Sequence, residues 1–345
     1  MKAFVVSAPH VGAVEEVADP VAGPGQVIVD IHRVGVCGTD VEFWTGEMTY
    51  LHEGHAAYPL RLGHEWCGVV SALGTEVDAA WLGRRVTGDT MLGCGRCDRC
   101  LSGRHNVCAD RAEIGIRGGF PGALAEQLAV PVSTLLELPA NVDDSAGAMV
   151  EPGGNALRSV RAASLAPGDR VLVLGAGTMG LLAAQFARAA GVEVHLMGRS
   201  IPSLEFARGL GFAGVWQRDE VPALRWDAVI DASNAAELPA LALHLVEPGK
   251  RVVYLGLAGT PSRIDTRAVV LKDVTAVGIL AASQGLAGTI EHYARGSIDP
   301  RTLVAATVGL DRVGDVLSGW RPAGASEGPK LHIDPRRSNR TSPER

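Results

Sequence analysis

The chain has 345 residues, 47% hydrophobic and 20% charged, with 43 glycines and only 5% aromatics. That is longer than one compact core usually serves and describes a globular protein of two domains, rich in tight turns. A net charge of -6 without a basic stripe argues against nucleic-acid and anionic-membrane partners, and no apolar run reaches the ~18 residues of a membrane span.

The N-terminus, MKAFVVSAPHVGAVEEV, lacks the apolar core and cleavage site of a signal peptide, so the cytoplasm is the expected compartment. Residues 1 to about 150 read as short β-segments broken by Gly and Pro, among them KAFVVSA, QVIVDIHRVGV, CGVVSALG, RRVTGD and ALAEQLAVP. This is the pattern of an irregular β-rich domain. Beyond Pro167 it changes: GDRVLVLGAGTMGLLAAQFARAAGVEVHLMGRS is a buried strand, a glycine turn, an apolar helix and a second strand. Such a unit implies a parallel sheet. It continues through RWDAVIDAS, a helix near AAELPALALHLVEP, and the strands KRVVYLGLAG and DVTAVGIL. Five strands with intervening helices predict the α/β class with a doubly wound sheet. From Pro300 the chain is short and mixed, and the terminal PRRSNRTSPER is polar and expected to fray.

Cys94, Cys97, Cys100 and Cys108 form C-x2-C-x2-C-x7-C. Two-residue gaps let neighbouring thiolates turn to one centre, and Gly93, Gly95 and Gly103 relieve the crowding. Four thiolates complete a tetrahedral zinc shell and leave no position for water or substrate, so the expected zinc is structural. Free thiols, an iron-sulfur cluster and a redox pair are the competing readings.

A sparser set lies elsewhere. Cys37 ends a strand in VGVCGTDVEFW, His64 and Glu65 open another in LGHEWCGVV, and Glu151 opens a helix in MVEPGGNAL. Cys, His and carboxylates form a mixed shell that keeps a position open, as catalytic zinc requires. Taken singly, a strand-end Cys reads as a small buried hydrophobe and a lone His as a core residue. Cys67 has no partner at metal spacing and reads as buried filler. Phe43, Trp44 and Trp66 read as core or as pocket wall, and His52 and His55 as solvated loop residues, a loop over the cleft being the competing reading.

Gly175, Gly177 and Gly180 form G-x-G-x-x-G between the strand RVLVL and an apolar helix, the context that makes this loop, with Thr178 and Met179 inside it, a dinucleotide site. Its glycines serve the tight turn, the approach of the pyrophosphate, and helix-strand packing. At the end of the second strand, HLMGRS puts Gly198 where NAD users usually have an acidic residue. Without that acid a 2'-phosphate is not repelled, and Arg199 and Ser200 can donate to it, so NADP is favoured over NAD. Arg199 stacked on adenine, or simply solvated, is the competing reading. Asp231 and Ser233 end a later strand and border the expected ligand crevice.

Taken in order, CGTD, GHE, the four-cysteine lobe, EP and GAGTMG resemble the zinc-dependent medium-chain dehydrogenases along nearly the whole chain. Among their branches the sequence is most similar to the sorbitol, threonine and butanediol dehydrogenases. The resemblance implies a GroES-like catalytic domain (1–152, with the structural zinc lobe at about 92–110), a Rossmann NAD(P)-binding domain (153–290) and a return to the catalytic domain (291–345). It implies Cys37 and His64 as ligands of a catalytic zinc, with Glu65 and Glu151 supplying or exchanging the remaining positions, hence two zinc ions per chain. The implied substrate is a small alcohol or ketone, a polyol, cyclitol or amino alcohol being favoured, and the implied assembly a homodimer or homotetramer.

Hydride leaves a carbon readily only when its oxygen carries developing negative charge, which a Lewis acid such as zinc stabilises. Thr39 has a hydroxyl suited to the first proton step, and Glu65 belongs to the same catalytic set. Asp40 either orients a ligand such as His64 or caps a helix. Where family members often have His two residues after the Asp of CGTD, this chain has Glu42. Gly153, Gly154 and Asn155 stand where relatives usually have bulkier residues and are expected to alter the space near zinc and nicotinamide. A zinc-independent quinone or enoyl reductase and a non-enzymatic nucleotide sensor are the alternative functions.

Overall fold

The computed structural model describes residues 1–337, and the end of the polar tail lies outside the described residues. The chain divides into two units. One comprises Met1–Glu151, Val304–Ser326 and the described residues from Lys330 to Arg337; the other comprises Pro152–Leu303 and Glu327–Pro329. By contact, residues 291–303 stay with the second unit. Helix Leu286–Ala294 buries Leu286, Ile290 and Tyr293 there, with the Tyr293 ring stacked at 6.4 Å on Phe186 of helix Thr178–Ala189.

The first unit is built on a mixed sheet ordered Val304–Gly309, Lys330–Asp334, Gln26–Gly35, Glu65–Leu73, Arg85–Gly88, Leu135–Glu137, with Gln127–Pro131 also paired to Gln26–Gly35. Alternation along Lys330–Asp334 sends Leu331 and Ile333 into a core shared with Val29, Val34 and Trp66. Lys330, His332 and Asp334 therefore take the other face, and they too are buried. The strand nearest the C-terminus thus brings charged groups under cover, beside Gly35 and Glu65 across the sheet.

The second unit has six parallel strands ordered Gly214–Trp216, Glu193–Met197, Arg170–Leu174, Trp226–Asp231, Val246–Tyr254, Thr275–Gly278. The order reverses between Arg170–Leu174 and Trp226–Asp231, the switch point where such sheets bind ligands. Five of these strands are legible in the sequence. The sixth, Gly214–Trp216, is a three-residue edge strand, too short to show a period. No helix among the described residues is long and apolar enough to cross a membrane.

Candidate active site

Cys37 lies where strand Gln26–Gly35 gives way to helix Gly38–Thr45 and occupies the N-cap of that helix. The Asp40 carboxylate accepts from the Cys37 N–H at 2.9 Å and, with its other oxygen, from the Gly63 N–H at 3.1 Å. One buried side chain thereby ties together the two segments that carry Cys37 and His64. Asp40 thus caps the helix with one oxygen and holds the backbone next to His64 with the other. Burial alone would raise the Asp40 carboxyl, but His64 and the two N–H groups hold it below the usual range.

His64 is buried, and its Nδ1 has no hydrogen-bond partner; the nearest carboxylate oxygen, on Asp40, is 3.5 Å away. Burial pushes the imidazole down, but Asp40 and Cys37 outweigh it and hold it well above its ordinary value. Donor atoms of Cys37, His64 and Glu65 all lie within 4.8 Å of one another. One sulfur, one imidazole and one carboxylate converging there fit a zinc ion. Glu151 is buried at the start of helix Val150–Ala163 but falls outside this three-donor set.

Glu65 has a partner that the sequence reading does not anticipate. Lys330 Nζ donates to both carboxylate oxygens, at 2.6 and 2.8 Å, and to Val36 O at 3.0 Å. Both side chains are almost wholly buried. A Cβ on Gly35 would collide with the Glu65 carboxylate, so the bare backbone of the intervening strand makes room for the pair. Burial would lower the Lys330 ammonium, but Glu65, Cys37 and Asp40 keep it above its usual value. Replacing Lys330 with Met should strand a buried carboxylate and cost about 3–5 kcal/mol of stability. Urea unfolding of the protein stripped of metal, where no cation compensates the Glu65 carboxylate, checks this, and an unchanged midpoint would contradict it.

Thr39 is half-buried in the first turn of the same helix, and Glu42, also half-buried, follows one turn later. Burial, with help from Glu47, pushes the Glu42 carboxyl up.

In the cysteine lobe, sulfur separations are 3.9 Å for Cys94 to Cys100, 3.6 Å for Cys97 to Cys100 and 3.8 Å for Cys97 to Cys108. A tetrahedron with ~2.3 Å zinc-sulfur bonds has edges of ~3.8 Å, so this spacing suits a single zinc ion. It is far too long for a disulfide, and none of the six cysteines is paired in one. N–H groups of Arg96 and Cys97 pull the Cys94 thiol down, toward the thiolate that a metal needs.

In the second unit, Gly175 adopts φ +111 in the turn, and a Cβ on Gly180 would collide with the Gly175 carbonyl, so helix and turn touch closely. A Cβ on Gly177 would meet nothing within 4 Å, which leaves the backbone open to a ligand. Thr178 and Met179 open the helix, and their free N–H ends favour an anion. Gly198 is packed so that a Cβ would press on Ala176 and Leu204 at 2.9 Å. Arg199 beside it is exposed. Ser200 is the N-cap of helix Ile201–Gly209, its Oγ accepting from the Ser203 N–H at 3.4 Å.

Comparison with known proteins gives these sites a context. Residues 23–140 match the model for the alcohol dehydrogenase GroES-like domain, and residues 178–295 match that for zinc-binding dehydrogenase. An L-threonine 3-dehydrogenase of Rhizobium etli is 30% identical over 81% of this chain and 83% of its own length. The chain belongs to the zinc-dependent alcohol dehydrogenase family. Similar solved structures include an alcohol dehydrogenase of Escherichia coli CFT073 complexed with NADH, with TM-score 0.88, 26% identity, and coverage of 97% of this chain and 99% of that one. A zinc-binding dehydrogenase of Sinorhizobium meliloti 1021 bound to NADP has TM-score 0.87 and 29% identity, with coverage of 97% and 99%. The reaction class is hydride transfer between an alcohol and NAD(P).

Gly153 and Gly154 serve close packing: a Cβ on Gly153 would collide with Tyr293, and one on Gly154 would stand 2.9 Å from Ala282 Cβ. These glycines let helix Val150–Ala163 pack closely on the segment 282–293. His55 lies in a bend with its side chain 39% exposed and its ring edge-on to Tyr50 at 5.6 Å, and His52 is exposed at the end of helix Thr49–His52. Phe43, Trp44 and Trp66 all belong to the core, and Cys67 is buried with its thiol donating to Asp144 O at 3.0 Å. Asp231 accepts from the Ser233 N–H at 3.0 Å and hydroxyl at 2.7 Å, while burial pushes its carboxyl up.

Proposed function

We propose that this dehydrogenase oxidises a secondary alcohol to a ketone, a polyol, cyclitol or amino alcohol being the favoured class, and prefers NADP to NAD. The observation that carries the reading is the convergence of donor atoms of Cys37, His64 and Glu65 within 4.8 Å of one another, in the same unit as a second, all-thiolate set. Neither a zinc-independent reductase nor a nucleotide sensor needs that convergence.

Cys37, His64 and Glu65 would hold the catalytic zinc, with Glu151 the further carboxylate available for exchange, and the four lobe cysteines would hold the structural one. When bound, the catalytic ion supplies Lewis-acid stabilisation of negative charge on the substrate oxygen, and the nicotinamide accepts the hydride. Asp40 fixes the relative position of the Cys37 and His64 segments. Lys330 offsets the Glu65 charge, which limits the negative charge around the metal and keeps it electrophilic. Thr39, two residues beyond Cys37, would be the first relay, its hydroxyl accepting the alcohol proton while passing its own proton on toward solvent.

NADP preference is supported by Gly198, which has no carboxylate to repel a 2'-phosphate, and by the exposed Arg199 next to it. Replacing Arg199 with Ala should lower kcat/KM for NADP by about ten- to a hundredfold, the worth of a charge-assisted hydrogen bond, with little change for NAD. An unchanged preference would remove Arg199 from cofactor selection.

We also place the enzyme in the cytoplasm as a homodimer or homotetramer. The last strand of the parallel sheet, Thr275–Gly278, is an edge with little burial, and Leu257, Val270 and Leu271 are more than 70% exposed in the same unit. An open edge next to apolar side chains favours pairing with a second copy.

A further inference from the structure

Loop 111–122 packs on the segment that leads into His64. The Gly118 N–H donates to His55 O at 3.0 Å, and a Cβ on Gly115 would stand 2.9 Å from Gly63 O. Gly63 is the residue whose N–H bonds to Asp40, so this loop backs directly onto the frame of the metal site.

The loop carries two arginines in contrasting surroundings. Arg111 is neutralised: its Nε donates to Glu113 Oε1 at 2.8 Å, and its Nη2 to the Tyr50 hydroxyl at 3.1 Å. Arg117 is not. Its guanidinium carbon lies 5.3 Å from the centre of the Tyr50 ring, and its Nη2 is 3.4 Å from both ring nitrogens of His55. Among the described residues no carboxylate comes within 4 Å of it. Glu53 reaches His55 Nε2 at 3.7 Å and stops there.

Two aromatic rings meeting at 84° thus brace a half-buried guanidinium without giving it an anionic acceptor. Holding such a cation partly out of water is unfavourable unless something completes it. Its planar fork matches a carboxylate or a phosphate, and the stacking fixes the fork in advance. We propose that Arg117, braced by Tyr50 and His55, receives an anionic group of the substrate, so that the alcohol oxidised carries a carboxylate or phosphate. This rests on the dehydrogenase reading above and narrows its substrate class.

The test uses the zinc-loaded enzyme, both cofactors and a broad panel of secondary alcohols that contains matched pairs: 4-hydroxypentanoate against 2-pentanol, and glycerol 3-phosphate against glycerol. The expected result is a kcat/KM at least about 30-fold higher for the anionic member of one pair, which also tells carboxylate from phosphate. Arg117→Gln should erase most of that advantage through KM, and Arg117→Lys should keep part of it, having the charge without the fork. Calorimetry with pentanoate and inorganic phosphate reads binding without turnover, and the heat seen with wild type should vanish in Arg117→Gln. Neutral alcohols oxidised as well as anionic ones, with the ratio unmoved in Arg117→Gln, would overturn the anion receptor alone. No turnover of any alcohol in the panel would overturn the dehydrogenase reading and this proposal together.

Discussion

Replacing Cys37 with Ser should leave a folded protein whose kcat/KM has fallen at least about a thousandfold, the scale of a lost Lewis acid. Cys37 is half-buried at the N-cap of helix Gly38–Thr45, with an extended backbone at φ -107 and ψ 164. Serine has nearly the same size and is a preferred N-cap residue, so the helix start is not weakened. Asp40 can still accept from the backbone N–H at that position. What disappears is the thiolate, the softest donor of the set and the one a hydroxyl replaces worst. Turnover and the unfolding midpoint therefore separate: the first collapses, and the second moves by no more than about 0.5 kcal/mol, as for a tolerated substitution. Wild-type turnover in Cys37→Ser would remove that residue from the chemistry.

The same exchange at Cys97 should do damage of the other kind. Cys97 is also a helix N-cap, of Asp98–Leu101, with a similarly extended backbone at φ -81 and ψ 161. Serine is again acceptable to the helix, so capping does not distinguish the two variants. The lobe, however, has almost no core: Leu101 is 73% exposed, and the residues buried between 97 and 110 are Asn106 and Cys108. Its order must come from the metal, and structural zinc supplies about 10 kcal/mol or more of folding free energy in small domains. Cys97→Ser should lose one zinc and become open to protease between residues 92 and 110. Retained zinc and wild-type protease resistance would contradict a structural role for the lobe.

What the sequence made legible follows from how far apart the cooperating residues are. The glycine loop and the cysteine lobe each lie within a few turns of chain, where spacing alone constrains geometry, so each is legible as a local unit. Cys37, His64 and Glu65 are farther apart but carry recognisable neighbours, and the fold brings their donor atoms together. Lys330 gave no such signal. It stands 265 residues from Glu65, and a lysine opening a short strand reads as a solvated end until Gly35 and the neighbouring strand bring it under cover. The packing role of Gly153 and Gly154 is illegible for the same reason: it depends on Tyr293 and Ala282, well over a hundred residues away in the chain. Arg117 was passed over because an arginine in a glycine-rich loop is ordinary, and only its ring partners and missing counter-charge set it apart.

The central claim is that one chain carries two zinc centres of different kind, an open one that works and a closed one that holds. Zinc counted per chain by mass spectrometry, with turnover followed as a chelator withdraws the metal, tests it most directly. Two zinc ions in the wild type and one in Cys37→Ser are predicted, with all turnover lost on removal of the first ion while the protein stays folded. A wild-type chain holding one zinc, or full turnover after one of two ions has gone, would contradict it.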